Sequence, residues 1–226
     1  MSILPLARCV GAGVVFPSGS RTIVALAPTD CTVRERQQIA VVGPSGSGKS
    51  TLMHLLSGLQ EPTTGTVTWP AIGGRDVLRP GPVGIVFQGP SLLPPLTVTE
   101  NVALPLQLMG ETQTAASVKA LELLTLVGIG ELAARLPDEL SGGQSQRVAI
   151  ARALVTGPRL ILADEPTGQL DRATSDLVID VLLDSADSTG AALVVTTHDP
   201  SIAERFGERW SVVDGVLSAG IEVAAT

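Results

Sequence analysis

The feature that most constrains the fold of this chain is a glycine-rich loop between an apolar run and a helix-forming run. The loop reads Gly43-Pro44-Ser45-Gly46-Ser47-Gly48-Lys49-Ser50 and fits the pattern G-x-x-x-x-G-K-[ST]. The residues before it, Ile39–Val42, are typical of a buried strand, and Lys49–Leu56 are typical of a helix. Strand, loop and helix in this order predict an α/β domain whose loop binds phosphate at a helix N-terminus.

Each part of this loop suits a nucleotide. The three glycines lack side chains that would block backbone N–H groups from phosphate oxygens. Lys49 can reach the β- and γ-phosphates, and the hydroxyl of Ser50 suits Mg²⁺. A nucleoside triphosphate with Mg²⁺ is therefore the expected ligand. The candidate binding residues here are Gly43, Pro44, Ser45, Gly46, Ser47, Gly48, Lys49, Ser50 and Thr51.

A second candidate element is an apolar run, Leu160–Ala163, that ends in two carboxylates, Asp164 and Glu165. In the expected fold this run is a strand beside the phosphate loop. One carboxylate there can hold the shell of a magnesium ion, and its neighbour can polarise an attacking water.

The segment Leu140–Gln144 lies between these two elements and reads Leu-Ser-Gly-Gly-Gln. Ser141 is a good helix N-cap, so the amides that follow it present a positive helix end. This segment resembles the signature of the ATP-binding cassette (ABC) ATPases. The resemblance implies that Asp164 holds magnesium, that Glu165 is the general base, and that a second subunit's γ-phosphate meets this helix end. The signature residues concerned are Ser141, Gly142, Gly143 and Gln144.

Four further residues acquire roles from this resemblance alone. Gln88 resembles the glutamine-loop residue that touches magnesium or water, and His198 resembles the switch histidine that faces the γ-phosphate. Asp171, in Gly168-Gln169-Leu170-Asp171, resembles the loop that reaches across the dimer. Phe16 stands where the family places an aromatic ring on adenine, although packing in the core is an equal alternative. The catalytic set implied is Glu165, His198, Gln88 and Lys49, and the metal set is Ser50, Gln88 and Asp164.

The resemblance covers nearly the whole chain, from Phe16 to Val216, and within the family it is strongest to the lipoprotein-releasing and macrolide-export group. It implies a P-loop NTPase (RecA-like) core with an antiparallel β subdomain and an inserted helical subdomain. Residues 1–96 and 156–226 would form the core with the β subdomain, and residues 97–155 the helical one. One departure is Arg36-Gln37, which stands where the family has Gly-Glu.

Local patterns predict the individual elements. The helical spacing of apolar residues in 114–127 predicts a helix with Val118, Leu121, Leu124 and Val127 on one face and Ala115 and Leu123 beside it. Asp214-Gly215 is a preferred two-residue hairpin turn. Strands are expected over Cys9–Phe16, Arg21–Ala27, Gly65–Trp69, Val83–Phe87, Arg159–Ala163, Ala192–Thr196, Trp210–Val213 and Val216–Ser218. Further helices are expected over Glu131–Arg135, Ser141–Val155, Ala173–Ala186 and Pro200–Phe206.

The composition argues against a nucleic-acid-binding protein, a membrane span and a cysteine metal site. The net charge is −7 and the chain has only two lysines, so no basic stripe of the kind that tracks nucleic acid is expected. No apolar stretch approaches the ~18–20 residues of a membrane span, and Met1–Phe16 does not fit a signal peptide. Cys9 and Cys31 have no metal or redox spacing, so two reduced thiols are expected.

The leading hypothesis is an ATP-hydrolysing subunit of a membrane transporter, working as a dimer with itself or with a homologous ATPase subunit. Separate transmembrane permease subunits would hold it at the cytoplasmic face of the cell membrane. The permease is expected to dock in the groove between the sheet core and the helical insertion, near Gln88–Leu96. Leu92, Leu93 and Leu96 with Pro94-Pro95 would offer a rigid apolar contact there, or form an ordinary surface loop. Two alternatives are a mechanical ATPase that regulates a membrane or cell-division complex, and an ABC protein of translation or DNA repair.

Overall fold

The strand Ile39–Val42 lies inside a six-stranded sheet in the computed structural model, which describes residues 4–19, 21–168 and 170–222. Ser20 and Gln169 lie outside the described residues. The strands of the described part are β1 (Ala7–Ser18), β2 (Arg21–Val33), β3 (Gln38–Val42), β4 (Thr64–Thr68), β5 (Val83–Val86), β6 (Leu160–Asp164), β7 (Ala192–Thr197), β8 (Glu208–Val213) and β9 (Val216–Glu222). Its α-helices are α1 (Lys49–Leu56), α2 (Val98–Leu108), α3 (Gln113–Leu126), α4 (Gly142–Leu154), α5 (Arg172–Thr189) and α6 (Pro200–Ala203).

The larger sheet has the order β5-β6-β7-β3-β8-β9. Its first five strands are parallel, and β9 returns antiparallel to β8 through the predicted Asp214-Gly215 turn. Alternate residues of the central strands enter two different cores: Ile161 and Leu193 pack towards the helices α4 and α5, whereas Leu162 and Val194 pack towards α1 and the smaller sheet. Burial on both faces explains why these strands read as continuous apolar runs.

The smaller sheet is antiparallel, with the order β2-β1-β4. In its register Cys9 lies directly opposite Cys31, and both are buried as free cysteines. A hydrogen bond with Cys9, together with burial, raises the pKa of the Cys31 thiol. The two thiols are therefore neighbours, which their separation along the chain does not indicate.

Helices α2, α3 and α4 pack on one another between β5 and β6 in the chain. The helix α2 has no counterpart among the elements assigned from sequence, although Thr97 and Glu100 form a capping box at its start. In α3 the predicted period is right, and the predicted face is right only in its second half, where Leu124 and Val127 are buried. Ala116, Ala120 and Leu124 are buried, whereas Val118 is 56% exposed and Leu121 is 45% exposed. Small alanines allow close helix contact, so they occupy the buried face although larger residues give the stronger apolar signal.

Two expectations change at element ends, and one departure from the family coincides with a turn. The predicted helix Glu131–Arg135 is wrong, because the chain there forms only a 3-10 turn over Gly130–Leu132. The helix predicted over Pro200–Phe206 ends at Ala203, and Phe206 is instead buried in the core. Arg36 has a φ of 64°, the left-handed conformation that glycine adopts without cost. The glycine that the family has at this position would suit such a turn, and this chain forms the turn with Arg36 instead.

None of the helices in the described ranges is long and apolar enough to cross a membrane.

Candidate functional site

The phosphate loop joins β3 to α1 and is held from both sides. Gly48 has a φ of 108°, and a Cβ atom there would overlap the carbonyl oxygen of Ala25. A Cβ atom on Gly43 would overlap the carbonyl oxygen of Val212. These two glycines are required because neighbouring backbone passes too close for any side chain.

The β8–β9 turn completes this support. The N–H of Gly215 donates to the carbonyl of Ser47 at 2.9 Å, and the carbonyl of Gly215 accepts from the N–H of Ala27 at 2.7 Å. The phosphate loop is therefore wedged between β2 and the terminal hairpin. Such fixed backbone can present N–H groups to phosphate without reordering on binding.

Lys49 begins α1 and is only 4% exposed. Its Nζ atom donates to the carbonyls of Gly43 and Pro44 at 2.9 and 3.0 Å. The same atom lies 3.6 Å from Oε1 of Glu165. The ammonium group is thus directed back over its own loop and towards the end of β6.

The carboxylates of Asp164 and Glu165 end β6 beside this loop, as the sequence predicts. Asp164 is buried, and its Oδ1 accepts a hydrogen bond from the hydroxyl of Thr196 at 2.5 Å. Glu165 adopts a φ of 44°, and its Oε2 lies 3.4 Å from Nδ1 of His198. One oxygen of the Glu165 carboxylate therefore lies close to Lys49, and the other lies close to His198.

A cavity of about 290 Å³ follows the phosphate loop and is lined by residues from four separate parts of the chain. Gln88 and Glu165 share it with the loop, which places the predicted glutamine-loop residue at the candidate nucleotide site. Its lining consists of Ile23, Val24, Ala25, Ser45, Gly46, Gly48, Lys49, Ser50, Thr51, Gln88 and Glu165.

The donors at this cavity fit a phosphate-bound magnesium ion. Mg²⁺ prefers oxygen ligands and usually combines one or two protein groups with phosphate oxygens and waters. Ser50 and Gln88 line the cavity and offer a hydroxyl and an amide oxygen of this kind. Asp164, buried next to the lining residue Glu165, offers a carboxylate. In addition, Oγ of Ser47 is buried in the loop and has no hydrogen-bond partner among the described residues.

Glu165 and His198 also line a second cavity, of about 270 Å³, with Thr167, Gly168 and Leu170 among its other walls. Glu165 thus separates two cavities, one along the phosphate loop and one beside the loop before α5. Gln169, part of the motif predicted to cross the dimer, lies outside the described residues.

Phe16 lies near the end of β1, where it pairs with Ile23 of β2 and is 45% exposed. Ile23 and Val24 line the phosphate-loop cavity, but Phe16 is not among its lining residues. Because its ring is exposed, the alternative of a core residue is wrong for Phe16.

The signature residues Ser141–Gln144 lie apart from the phosphate-loop cavity. Ser141 caps α4 by accepting from the N–H of Gln144, whose Oε1 accepts in turn from the N–H of Ser141 at 2.8 Å. Ser141 and Gly142 are exposed at this helix end. The helix terminus is therefore preformed and open on the surface of the chain.

Asp171 caps α5 in the same way. Its carboxylate accepts from the N–H of Thr174 at 3.0 Å and from the Thr174 hydroxyl at 2.8 Å. These hydrogen bonds lower the pKa of the Asp171 carboxyl. Asp171 is thus exposed but already engaged within its own chain.

Sequence reasoning missed the side chains that hold the glutamine loop. Gln146 donates to the carbonyl of Phe87 at 3.1 Å, and Arg152 donates to the carbonyls of Pro90 and Ser91 at 3.0 and 3.1 Å. Burial lowers the pKa of the Arg152 guanidinium. Both residues belong to α4, so the signature helix contacts the chain on each side of Gln88. Their helical positions in 142–154 were visible in sequence, but their partners were not.

Asn101 of α2 was also missed. It is fully buried, and its Oδ1 accepts a hydrogen bond from the N–H of Leu93. Its Nδ2 donates to the carbonyl of Leu93 and to the carbonyl of Leu96, the latter at 2.9 Å. The loop that was expected to contact a permease is therefore anchored from within. Leu92 packs against the core and Leu93 is exposed, so only part of the predicted apolar surface is available.

Comparisons with known proteins agree with this geometry. The family described as ABC transporter matches residues 26–168. The lipoprotein-releasing system ATP-binding protein LolD of Shewanella frigidimarina is 42% identical over 221 residues, or 93% of this chain and 90% of that protein. LolD of Legionella pneumophila is 44% identical over 211 residues, covering 90% and 93%. An uncharacterized ABC transporter ATP-binding protein of Mycobacterium tuberculosis is 49% identical over 176 residues, covering 74% and 70%.

Among solved structures, the ATP-binding cassette MJ0796 in a dimeric post-hydrolysis state bound to ADP and Pi has a TM-score of 0.90. The sequence identity is 33%, and the match covers 97% of this chain and 100% of that one. The predicted fold class is thus confirmed, as are ATP and Mg²⁺ as ligands and permease subunits as partners of this kind of protein. The chain belongs to the ABC transporter family, as one of its ATP-binding and ATP-hydrolysing subunits.

Proposed function

We propose that the cavity along the phosphate loop is the site of ATP hydrolysis and that Glu165 is its general base. The observation that carries this proposal is the position of the Glu165 carboxylate, 3.6 Å from Nζ of Lys49 and 3.4 Å from Nδ1 of His198. The lysine binds the β- and γ-phosphates, so a base beside it lies where the attacking water must be. His198 faces the same reacting group from the other side.

The remaining residues position the phosphates. Backbone N–H groups of 43–51 bind the phosphate oxygens, and the positive end of α1 favours their charge. Ser50, Asp164 and Gln88 hold Mg²⁺, which when bound neutralises charge on the β- and γ-phosphates. Phe16, with Ile23 and Val24, offers an exposed apolar surface on which adenine can stack at the open end of the cavity.

The working unit is a head-to-tail dimer in which each ATP is bound by two subunits. The exposed, capped end of α4 at Ser141–Gln144 supplies N–H groups for a γ-phosphate held by the partner subunit. Asp171 meets the partner near the same interface. A two-fold axis repeats this contact and produces two equivalent sites.

A permease segment docks beside the glutamine loop. A groove of about 390 Å³ runs between β5 and the helices α2 and α4, with Ile85, Phe87, Leu104 and Leu108 among its apolar walls. Together with exposed Leu93, this groove forms the docking site. Residues 97–155 would form the helical subdomain, whose helices α2 and α4 line one side of this groove. Residues 1–96 and 156–226 would form the core with the β subdomain.

The transporter served by this chain is one that releases lipoproteins from a membrane. Two LolD proteins of lipoprotein-releasing systems support this assignment, since each is at least 42% identical over at least 90% of this chain. The chain would then sit on the cytoplasmic face of the membrane, attached through the permease.

Reconstitution tests the substrate. The chain is co-expressed with a tagged permease from its own genome, purified as a complex and inserted into liposomes that contain a lipoprotein. ATP-dependent release of the lipoprotein to an acceptor protein is expected, and the Glu165→Gln complex provides the inactive control. A complex that hydrolyses ATP without releasing lipoprotein would contradict the substrate assignment and would favour the mechanical ATPase.

A further inference from the structure

Thr196 contacts both of the carboxylate residues that end β6. It is fully buried on β7 and lies opposite Asp164 in the parallel register of the two strands. Its Oγ1 atom donates to Oδ1 of Asp164 at 2.5 Å and accepts from the N–H of Glu165 at 2.8 Å. The hydroxyl is therefore the donor in the first bond and the acceptor in the second, which it can be at the same time.

The first bond orients Asp164. A hydrogen bond to a charged carboxylate is about twice as strong as one between neutral groups. Among the described residues, Thr196 is the one side chain that hydrogen-bonds this carboxylate. With Oδ1 held, Oδ2 remains for a cation or its water shell.

The second bond orients Glu165. A φ of 44° is unusual for a residue other than glycine and persists only where its surroundings hold it. The bond from the Glu165 N–H to Thr196 acts on the backbone of this residue directly. From this conformation the carboxylate reaches Lys49 and His198.

We propose that Thr196 is a positioning residue for ATP hydrolysis, whose hydroxyl sets the metal-binding carboxylate and the general base together. The proposal rests on the roles proposed above for Asp164 and Glu165. Valine has nearly the shape of threonine but no hydroxyl, so Thr196→Val leaves a buried carboxylate oxygen and a buried N–H without this partner. Serine keeps the hydroxyl and loses only a methyl group.

The test compares Thr196→Val with Thr196→Ser in the full chain. The measurements are kcat, KM for ATP, the Mg²⁺ concentration for half-maximal activity, and binding of a fluorescent ATP analogue. Groups that orient metal ligands typically contribute about 10–100-fold to activity or metal affinity. Thr196→Val should lose about this factor in kcat and need more Mg²⁺, with analogue binding nearly retained. Thr196→Ser should recover most of the loss.

The matched control is Thr29→Val. Thr29 is 6% exposed in β2 of the other sheet, so it reports the effect of the same substitution in a buried strand. Its kcat and Mg²⁺ dependence should stay at the wild-type values. If Thr196→Val does not fold, Thr196→Ala replaces it in the comparison with serine.

Two results would overturn the proposal: wild-type kcat and Mg²⁺ dependence in the variants without a hydroxyl, or equal losses with serine and with valine. Glu165→Gln is measured in parallel. Hydrolysis by that variant at the wild-type rate would instead refute the base assignment, so the two failures are distinguishable.

Discussion

The Nζ atom of Lys49 lies 3.6 Å from Oε1 of Glu165, and this pair connects the phosphate loop to the end of β6. Both side chains are largely buried, at 5% and 15% exposure. Glu165 therefore lies where its carboxylate can accept a proton from water next to a bound γ-phosphate.

Glu165→Gln should therefore bind ATP but hydrolyse it about 10²–10⁴-fold more slowly, since an amide cannot act as a base. Lys49→Ala should instead weaken ATP binding, because it removes the cation that contacts the phosphates. Steady-state hydrolysis and equilibrium binding measure the two effects. Glu111→Gln is the control, as its carboxylate pairs with Lys119 on an exposed surface. Wild-type turnover by Glu165→Gln would contradict the assignment.

A mixed dimer tests whether each ATP lies between two subunits. When a Lys49→Ala subunit pairs with a Ser141→Arg subunit, one interface carries both lesions and the other carries none. The intact interface should bind ATP, and hydrolysis should recover in part unless the two sites are strictly coupled. Neither variant alone has an intact site. Differently tagged subunits allow the mixed dimer to be purified and its activity compared with each parent.

Crosslinking provides the direct readout of this arrangement. Ser45 and Ser141 are both exposed, so cysteines can be placed at these two positions. In the Glu165→Gln background, ATP should promote a crosslink between Ser45→Cys of one subunit and Ser141→Cys of the other. Crosslinks that form only within one chain would refute the head-to-tail dimer.

Arg152 should affect hydrolysis although it lies outside the nucleotide cavity. Its guanidinium holds the carbonyls of Pro90 and Ser91, and lysine cannot reproduce this two-pronged contact. Arg152→Lys should lower kcat by about 10-fold, because small displacements of groups near the reacting atoms are costly. Arg147→Lys is the control on the same helix, since Arg147 bonds to Val127 and Gly128 instead. Equal effects of both variants on kcat would argue for a general loss of stability.

The capping box of α2 should make stability depend on pH. Hydrogen bonds from the N–H and hydroxyl of Thr97 lower the pKa of the Glu100 carboxyl below its ordinary 4.5. A lowered pKa means that this contribution is present above pH ~4.5 and is lost as the pH falls through the folded-state pKa. Glu100→Gln should be less stable than wild type at pH 7, and the difference should shrink below pH ~4.5. Urea unfolding at several pH values measures this, with Thr97→Ala expected to cost about 1 kcal/mol at pH 7.

Local residue patterns were enough for the elements whose chemistry depends on adjacent residues. The phosphate loop, the Asp164-Glu165 pair and the Asp214-Gly215 turn each follow from a few consecutive positions, because backbone conformation and side-chain type act there over short distances. The buried face of α3 followed only in part, since Ala116 and Ala120 are buried because α2 and α4 approach closely.

By itself, the sequence determined that this chain is an α/β ATPase with a phosphate loop, two carboxylates after an apolar strand and a capped signature helix. Only the tertiary structure decided that Thr196 bridges Asp164 and Glu165, that Arg152 holds the glutamine loop, and that Cys9 faces Cys31. Each of these contacts joins residues from different elements. Their partners depend on strand order, register and helix packing, which arise from the burial of the whole chain and not from any local pattern.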